Sequence, residues 1–252
     1  MFGLFKSKKT DEIGNVDWSL IAVDFHSHLL PKVDDGVNTI EDTIEILHFF
    51  KSKGYQSIYT SPHIMGEGFK NTKQGLKEKF EDLLQDKRIQ SIGLKFNLIA
   101  EYFLDEEFEN LLTKDDLLTF GNKHILVETS MNYDFPFVKD YIFELRKKGY
   151  IPILAHPERY KYIYSEKDFM DIYETYKDLG VLFQLNLFSL IGMYGDKVKS
   201  IAETLIEQNM YDFVSSDIHS VSQIKYLEQV QKSIFLERLI QSGNLKNKQI
   251  LA

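Results

Sequence analysis

The 252-residue chain contains no cysteine. Disulfides and thiolate zinc sites are therefore excluded, as is a phosphatase that attacks with a cysteine thiolate, because the attacking atom is missing. No uninterrupted apolar run approaches the roughly 20 residues that span a bilayer. The opening MFGLFKSKK is too short in apolar residues, with its lysines on the wrong side, for a secretory signal. A cytoplasmic location is expected. Positive charge is scarce: 30 Lys and Arg against 38 Asp and Glu leave a formal net charge of -8. That balance argues against a sequence-independent grip on nucleic-acid backbone. No internal repeat, low-complexity tract or long linker divides the chain, so one domain over residues 18–252 is expected after an N-terminal tail at residues 1–17. For Met1, Phe2, Leu4 and Phe5 with Lys6, Lys8 and Lys9, a frayed terminus is the favoured reading, and peripheral contact with the inner membrane face is the alternative.

What is present is apolar and regularly spaced. At 43% hydrophobic and 13% aromatic the chain can bury one substantial core. Short β-rich runs alternate with amphipathic stretches, the pattern of a parallel sheet built from β-α units. The expected strands are Leu20–Phe25, Ser57–Thr60, Lys95–Ala100, His124–Glu128, Ile151–Ala155, Val181–Asn186 and Asp212–Ser215. The expected helices are Ile40–Lys53, Thr72–Lys87, Phe137–Lys148, Glu166–Asp178, Lys197–Gln208 and Val221–Gln241. Gly54, Gly149 and Gly180 each sit between a helix and a strand, where a left-handed cap suits glycine.

In parallel barrels the catalytic groups occupy the C-terminal rim of the strands, and here six of the seven strands deliver a metal-ligand type there. His26-Ser27-His28 and Asp34-Asp35 follow the first, His63 the second, Glu101 ends the third, Glu128 the fourth, His156 follows the fifth, and Asp217 with His219 the seventh. Residues two apart on an extended chain share a face, so His26 and His28 can close on one ion, as can Asp217 and His219. A lone rim histidine is more often structural, but five of the seven histidines fall at these ends. His48, within a helix, and His124, at a strand start, are read as structural.

Most carboxylates are solvated surface groups, and Asp105, Glu106 and Glu107 fit that reading. Glu101 and Glu128 instead terminate the apolar runs FNLIA and HILV, where an unpaired carboxylate is costly without a cation or hydrogen bonds. Either suits a bridge between ions. Mixed histidine and carboxylate ligands favour zinc, manganese or iron over calcium or magnesium, and paired ions suit phosphoryl chemistry. Arg159, in AHPERY, offers a planar fork to phosphate; its alternative is a surface salt bridge with Glu158 or another acid. Arg159, Asp217 and His156 are the candidate catalytic residues.

DFHSHLLPKVDDG, SPH, the Glu101 strand end, Glu128, AHPERY and SDIH together resemble the polymerase and histidinol phosphatase (PHP) superfamily, from about Val23 to His219. Their order is most similar to its bacterial manganese-dependent protein-tyrosine phosphatases of capsular and exopolysaccharide biosynthesis. The resemblance implies a distorted (β/α)7 TIM-like barrel with a trinuclear site. Its implied ligands are His26, His28, Asp35, His63, Glu101, Glu128, His156, Asp217 and His219, with Asp35 preferred over Asp34 on family position alone. It implies manganese, with iron or zinc as alternatives, phosphate binding by Arg159, and as partner the tyrosine-rich tail of a bacterial tyrosine kinase. The second arginine expected after the last DxH is missing from HSVSQIKYLEQ, leaving Lys225 as a substitute.

A small-molecule phosphatase, such as one for histidinol phosphate, is the alternative within this chemistry, since a metal cage does not choose the leaving group. Loop aromatics Phe69, Tyr102, Phe103, Tyr133, Phe135, Tyr160 and Phe188 could hold a phenyl ring and tilt the choice toward phosphotyrosine; the alternative is that they merely pack the loops. A non-catalytic, metal-stabilised binding module is the reading from another class, and nine ligands exceed what a closed structural site requires.

Overall fold

The computed structural model describes residues 15–251. The expected tail lies outside the described residues except at its end, where Val16 is buried and its N–H donates to Gln231 O at 3.0 Å. The packed chain therefore starts earlier than residue 18.

Among the described residues nine short strands occur: β1 (Val23–Asp24), β2 (Ser57–Thr60), β3 (His63–Ile64), β4 (Lys95–Leu98), β5 (Glu101–Phe103), β6 (His124–Glu128), β7 (Ile151–Ala155), β8 (Leu182–Asn186) and β9 (Phe213–Ser215). All pairings between them are parallel, in the orders β1-β2-β4 and β3-β5-β6-β7-β8-β9. The nine follow the seven expected paths. β2 runs on into β3 past Pro62, which has no N–H to give to a ladder, and β4 runs on into β5 past Ile99 and Ala100. Bonds from Ile99 N–H to Thr60 O (2.9 Å) and from Glu101 N–H to Pro62 O (3.2 Å) hold the broken paths together. A parallel bridge between Ser27 and Ile218 joins the last path to the first. The result is the distorted TIM-like α/β architecture expected.

Alternation along the strands sorts their side chains. In β6, Ile125 and Val127 pack outward under the helices, while Leu126 joins an inner cluster with Val23, Phe25, Ile153, Ala155 and Phe213. Strands buried on both faces read as the continuous apolar runs seen here. Phe25 plugs the barrel interior against Phe120 and Phe213, with ring centroids 5.3 and 5.1 Å away. His124 lies against the same two rings at the opposite end from the rim, a packing residue; His48 is exposed on the helix Ile40–Ser52.

Gly54, Gly149 and Gly180 take φ of 87°, 81° and 79°, as their caps require. The expected C-terminal helix is two, Ile224–Val230 and Ile234–Gln241, with Ser233 capping the second. The expected Glu166–Asp178 begins only at Phe169, and a separate short helix, Lys161–Tyr164, precedes it. The longest helix outside the expected set, Glu106–Lys114, begins at Asp105, whose Oδ1 accepts Phe108 N–H and whose Oδ2 accepts Gly66 N–H. Asp105 is thus a cap that ties a rim loop, and not merely a solvated acid.

Candidate metal centre

The strand ends bring the nine expected ligands to one place. Glu101, fully buried, stands at the middle. Its Oε2 lies 3.1 Å from His26 Nε2, 3.5 Å from His28 Nε2 and 3.2 Å from His63 Nδ1; its Oε1 lies 3.3 Å from His156 Nε2. Asp217 Oδ1 is 3.1 Å from His26 Nε2 and 3.3 Å from His28 Nε2. Glu128 Oε1 approaches His63 Nδ1 at 3.0 Å, and Asp35 Oδ1 lies 3.5 Å from His63 Nε2 and 3.4 Å from His219 Nε2. Three overlapping groups of potential ligand atoms result: His28/Asp35/His63/His219, His26/His28/Glu101/Asp217 and His63/Glu101/Glu128.

Two of these residues depend on left-handed backbone. His156 has φ 35° and Asp217 has φ 54°, conformations that cost non-glycine residues energy and concentrate at functional sites. In β7, alternation would send residue 156 outward with Leu154; the left-handed turn brings its Nε2 to Glu101 instead.

Whether these atoms fit cations is tested by their hydrogen bonding. His26 Nε2, His28 Nε2, His63 Nδ1 and both oxygens of Glu101 are buried and, among the described residues, have no hydrogen-bond partner. Polar atoms that converge within 3.5 Å without forming a hydrogen bond waste the cost of burial unless a cation lies between them. The far nitrogens are held in the manner typical of metal-ligating imidazoles. His26 Nδ1–H donates to Gln184 Oε1 at 2.9 Å, His28 Nδ1–H to Asp34 Oδ2 at 2.7 Å, and His219 Nδ1–H to the Asp217 carbonyl at 2.8 Å. The donor set therefore fits divalent metal.

Electrostatics in the ion-free protein agree. Burial alone raises the Glu101 and Asp217 carboxyls, but the histidines beside them, His26 foremost, hold both well below the carboxylate range. Burial alone lowers His26 and His28, and the facing carboxylates leave both well above the ordinary histidine value. Protons stand where cations would. Asp35 is drawn down to about 2, chiefly by its bond with His219.

Arg159 lies at the edge of this cluster. Its Nη1 donates to Asp217 Oδ2 at 3.0 Å. The expected alternative is a surface salt bridge with Glu158 or another acid: the acid is Asp217, which is buried, while Glu158 accepts from Asn186 N–H, Ser189 Oγ and Tyr211 Oη. Lys225, the expected substitute for a second arginine, is engaged elsewhere. Its Nζ sits 4.8 Å above the Tyr226 ring, outside the cavity that Arg159 lines.

That cavity, about 340 Å³, is lined beside the ligands by Met65, Phe69, Phe103 and Met131. A second of about 670 Å³ adjoins it through Met65, Phe103 and Ser130, and carries Tyr133 and Phe135. Of the seven expected ring-holding aromatics, these four line open space. Tyr102, Tyr160 and Phe188 are fully buried and pack the loops; the Tyr102 hydroxyl accepts Leu118 N–H and the Tyr160 hydroxyl donates to Ala155 O.

Gln184 and Asn186 were not foreseen. They end β8, the one path for which no ligand type was read, and their spacing of two in FQLN puts both amides on the cluster side: Gln184 holds His26, and Asn186 Nδ2–H donates to Asp217 Oδ2 at 2.8 Å.

The family model for capsular polysaccharide synthesis, CpsB/CapC, matches residues 22–234. This chain belongs to the CpsB/CapC family. Tyrosine-protein phosphatase YwqE of Bacillus subtilis is 30% identical over 202 residues, covering 79% of this chain and 78% of its own length. Tyrosine-protein phosphatase CpsB of Streptococcus pneumoniae is 25% identical over 215 residues, covering 82% and 87%. A chain from the crystal structures of YwqE from B. subtilis and CpsB from S. pneumoniae, unique metal-dependent tyrosine phosphatases, superposes with TM-score 0.77 at 27% identity over 91% of both chains. Dihydropyrimidinase of Brevibacillus agri, at 10% identity and TM-score 0.52 over 89% of this chain and 66% of its own, is similar in fold alone. The CpsB/CapC match spans every residue of the cluster, from His26 to His219.

Proposed function

We propose that this chain is a metal-dependent protein-tyrosine phosphatase acting on a tyrosine-phosphorylated protein, the tyrosine-rich tail of a bacterial tyrosine kinase that controls capsular or exopolysaccharide synthesis. The observation that carries the reading is the Glu101 carboxylate, buried within 3.5 Å of four imidazoles without a hydrogen bond to any of them, beside a guanidinium at an open cavity. Membership of the CpsB/CapC family supports the same activity.

In this reading His26, His28, Asp35, His63, Glu101, Glu128, His156, Asp217 and His219 hold two or three divalent cations, manganese in preference to iron or zinc. When bound, such cations supply Lewis acidity toward water and phosphoryl oxygen. The chain's own residues do the rest. Arg159 spends Nη1 on Asp217, and its other donors, with no hydrogen bond among the described residues, take the non-bridging oxygens of the phosphoryl group. Asp217 keeps the guanidinium aimed, and His156 with Glu128 closes the far side of the cluster. Phe69 and Phe103 border the space a phenyl ring would fill, with Phe69 stacked on His63 at 5.5 Å between centroids. Among the described residues no helix is long and apolar enough to cross a membrane.

The test is phosphate release from a phosphotyrosine peptide and from histidinol phosphate in parallel, with protein stripped by chelator and resupplied with manganese, iron or zinc. Metal-dependent turnover strongly favouring the peptide is expected. Preference for histidinol phosphate would replace the substrate assigned, and inactivity on both with metal bound would overturn the enzyme reading.

A further inference from the structure

Asp217 divides its two oxygens between neighbours of different kinds. Oδ1 faces the imidazoles of His26 and His28, whereas Oδ2 accepts from Arg159 Nη1 at 3.0 Å and from Asn186 Nδ2 at 2.8 Å. The Asn186 amide also donates to the Tyr194 hydroxyl at 3.1 Å, and the Arg159 guanidinium carbon lies 4.2 Å from the centre of the Tyr194 ring. Arg159, Asp217, Asn186 and Tyr194 thus form a closed circuit of contacts at the mouth of the metal centre.

Both ends of that circuit are anchored by one buried carboxylate. Glu158, next to Arg159 in the chain, accepts Asn186 N–H at 3.0 Å and Ser189 Oγ–H at 2.7 Å. The turn that presents Arg159 is therefore fastened to the segment that presents Asn186 and, after the turn Leu187–Ile191, Tyr194. The arrangement answers a physical problem. Arginine has a long, rotatable stem, and a single bond from Nη1 to Asp217 leaves the plane of the guanidinium free to turn about it. A ring face under the guanidinium removes that freedom, through cation–π attraction and stacking, without using any of its N–H donors.

We propose that Tyr194 is the positioning residue for Arg159: its ring is the shelf that fixes the guanidinium plane toward the phosphoryl group, while Asn186 locks shelf and metal-site carboxylate into one frame. The inference rests on the phosphatase reading, in which Arg159 binds phosphoryl oxygens. The ring carries this role, and the hydroxyl serves to hold Tyr194 to Asn186.

The test compares Tyr194→Leu, Tyr194→Phe, Arg159→Ala and the double variant Arg159→Ala/Tyr194→Leu. The readings are KM and kcat on a phosphotyrosine peptide, the inhibition constant of inorganic phosphate, bound metal and melting temperature. Tyr194→Leu is expected to raise KM and the phosphate inhibition constant about 5- to 10-fold, in the range of a partly desolvated cation–π contact, with kcat less affected and metal content retained. Tyr194→Phe restores most of the affinity. The double variant binds phosphate no more weakly than Arg159→Ala alone, because a shelf without its arginine has nothing to orient. An unchanged inhibition constant in Tyr194→Leu overturns the proposal, as does Tyr194→Phe matching Tyr194→Leu or full additivity with Arg159→Ala. If Arg159→Ala itself leaves phosphate inhibition unchanged, the phosphate-binding reading fails and the shelf with it; if only Tyr194→Leu is silent, the shelf alone fails.

Discussion

Asp34 and Asp35, neighbours in the chain, serve opposite sides of the same histidine cluster. Asp34 is buried behind His28, with Oδ2 2.7 Å from His28 Nδ1 and also accepting His63 N–H at 3.1 Å. Asp35 is half-exposed in front, with Oδ1 3.4 Å from His219 Nε2 and 3.5 Å from His63 Nε2. One carboxylate orients a histidine from behind and the other faces the space where the cluster's side chains converge.

The two substitutions should therefore separate. Asp35→Ala removes a member of the His28/Asp35/His63/His219 group and is expected to cost one cation per chain. Asp34→Asn keeps the stoichiometry but weakens affinity about 10- to 100-fold, the usual effect of losing a partner behind a ligating histidine. Metal content after dialysis, with a metal titration of each variant, checks this. The reverse pattern would exchange the roles of the two aspartates.

Proton linkage gives a second prediction. His26 and His28 lie well above 6.5 in the ion-free protein, so their contribution to stability is full below 6.5 and is lost as pH rises through the folded value. Glu101 and Asp217 lie well below 4.5 and 3.8, so theirs is present above those values and is lost as pH falls. Ion-free protein should accordingly be most stable between roughly pH 4.5 and 6.5. Because bound metal needs neutral imidazole, binding near pH 7 should release protons, and apparent affinity should fall on acidification. Melting curves with and without chelator, and calorimetry in buffers of different ionisation enthalpy, measure both. Metal binding without proton release would contradict the account.

Gly36, the last residue of DDG, allows the loop to pass against His28. A Cβ there would lie 2.3 Å from the His28 carbonyl oxygen and 2.5 Å from His28 Cβ. Gly36→Ala must displace backbone at a cluster residue, a loss of about 1–3 kcal/mol and, at about 2–4 °C per kcal/mol for a chain of this size, of several degrees in melting temperature. Metal affinity should drop with it. A melting temperature equal to the parent's would show that the loop yields more readily than this packing allows.

The loop aromatics should divide along burial. Tyr133 is 64% exposed in the cavity beside the site, whereas Tyr160 is fully buried. Tyr133→Ala should change stability by less than about 0.5 kcal/mol and raise KM for a phosphotyrosine peptide. Tyr160→Ala should cost about 3–5 kcal/mol by opening a cavity under the rim. Denaturant melts and steady-state kinetics on the same preparations distinguish them, and an unchanged KM in Tyr133→Ala would remove that ring from the substrate path.

The strand paths, the rim and nearly every cluster residue were legible in the sequence because each rests on local rules. A four- or five-residue apolar run such as HILV or IPIL reads as a buried parallel strand, and a histidine or carboxylate at its end has one rim to occupy. The missed helix Glu106–Lys114 had its signal in view, since Asp105 precedes a helical pattern, but three adjacent acids resemble solvated surface when Gly66 N–H, the long-range partner of Asp105, is unseen. By itself, then, the sequence determined which chemistry could gather and at which end of the barrel. The tertiary structure alone decided that Asp34 stands behind His28, that Arg159 pairs with Asp217 in place of Glu158, that Lys225 stays outside, and that Gln184, Asn186 and Tyr194 border the site. Each of these turns on the direction of a side chain across a ring of strands, set by contacts between residues far apart in the chain, and periodicity within one strand carries no information about them.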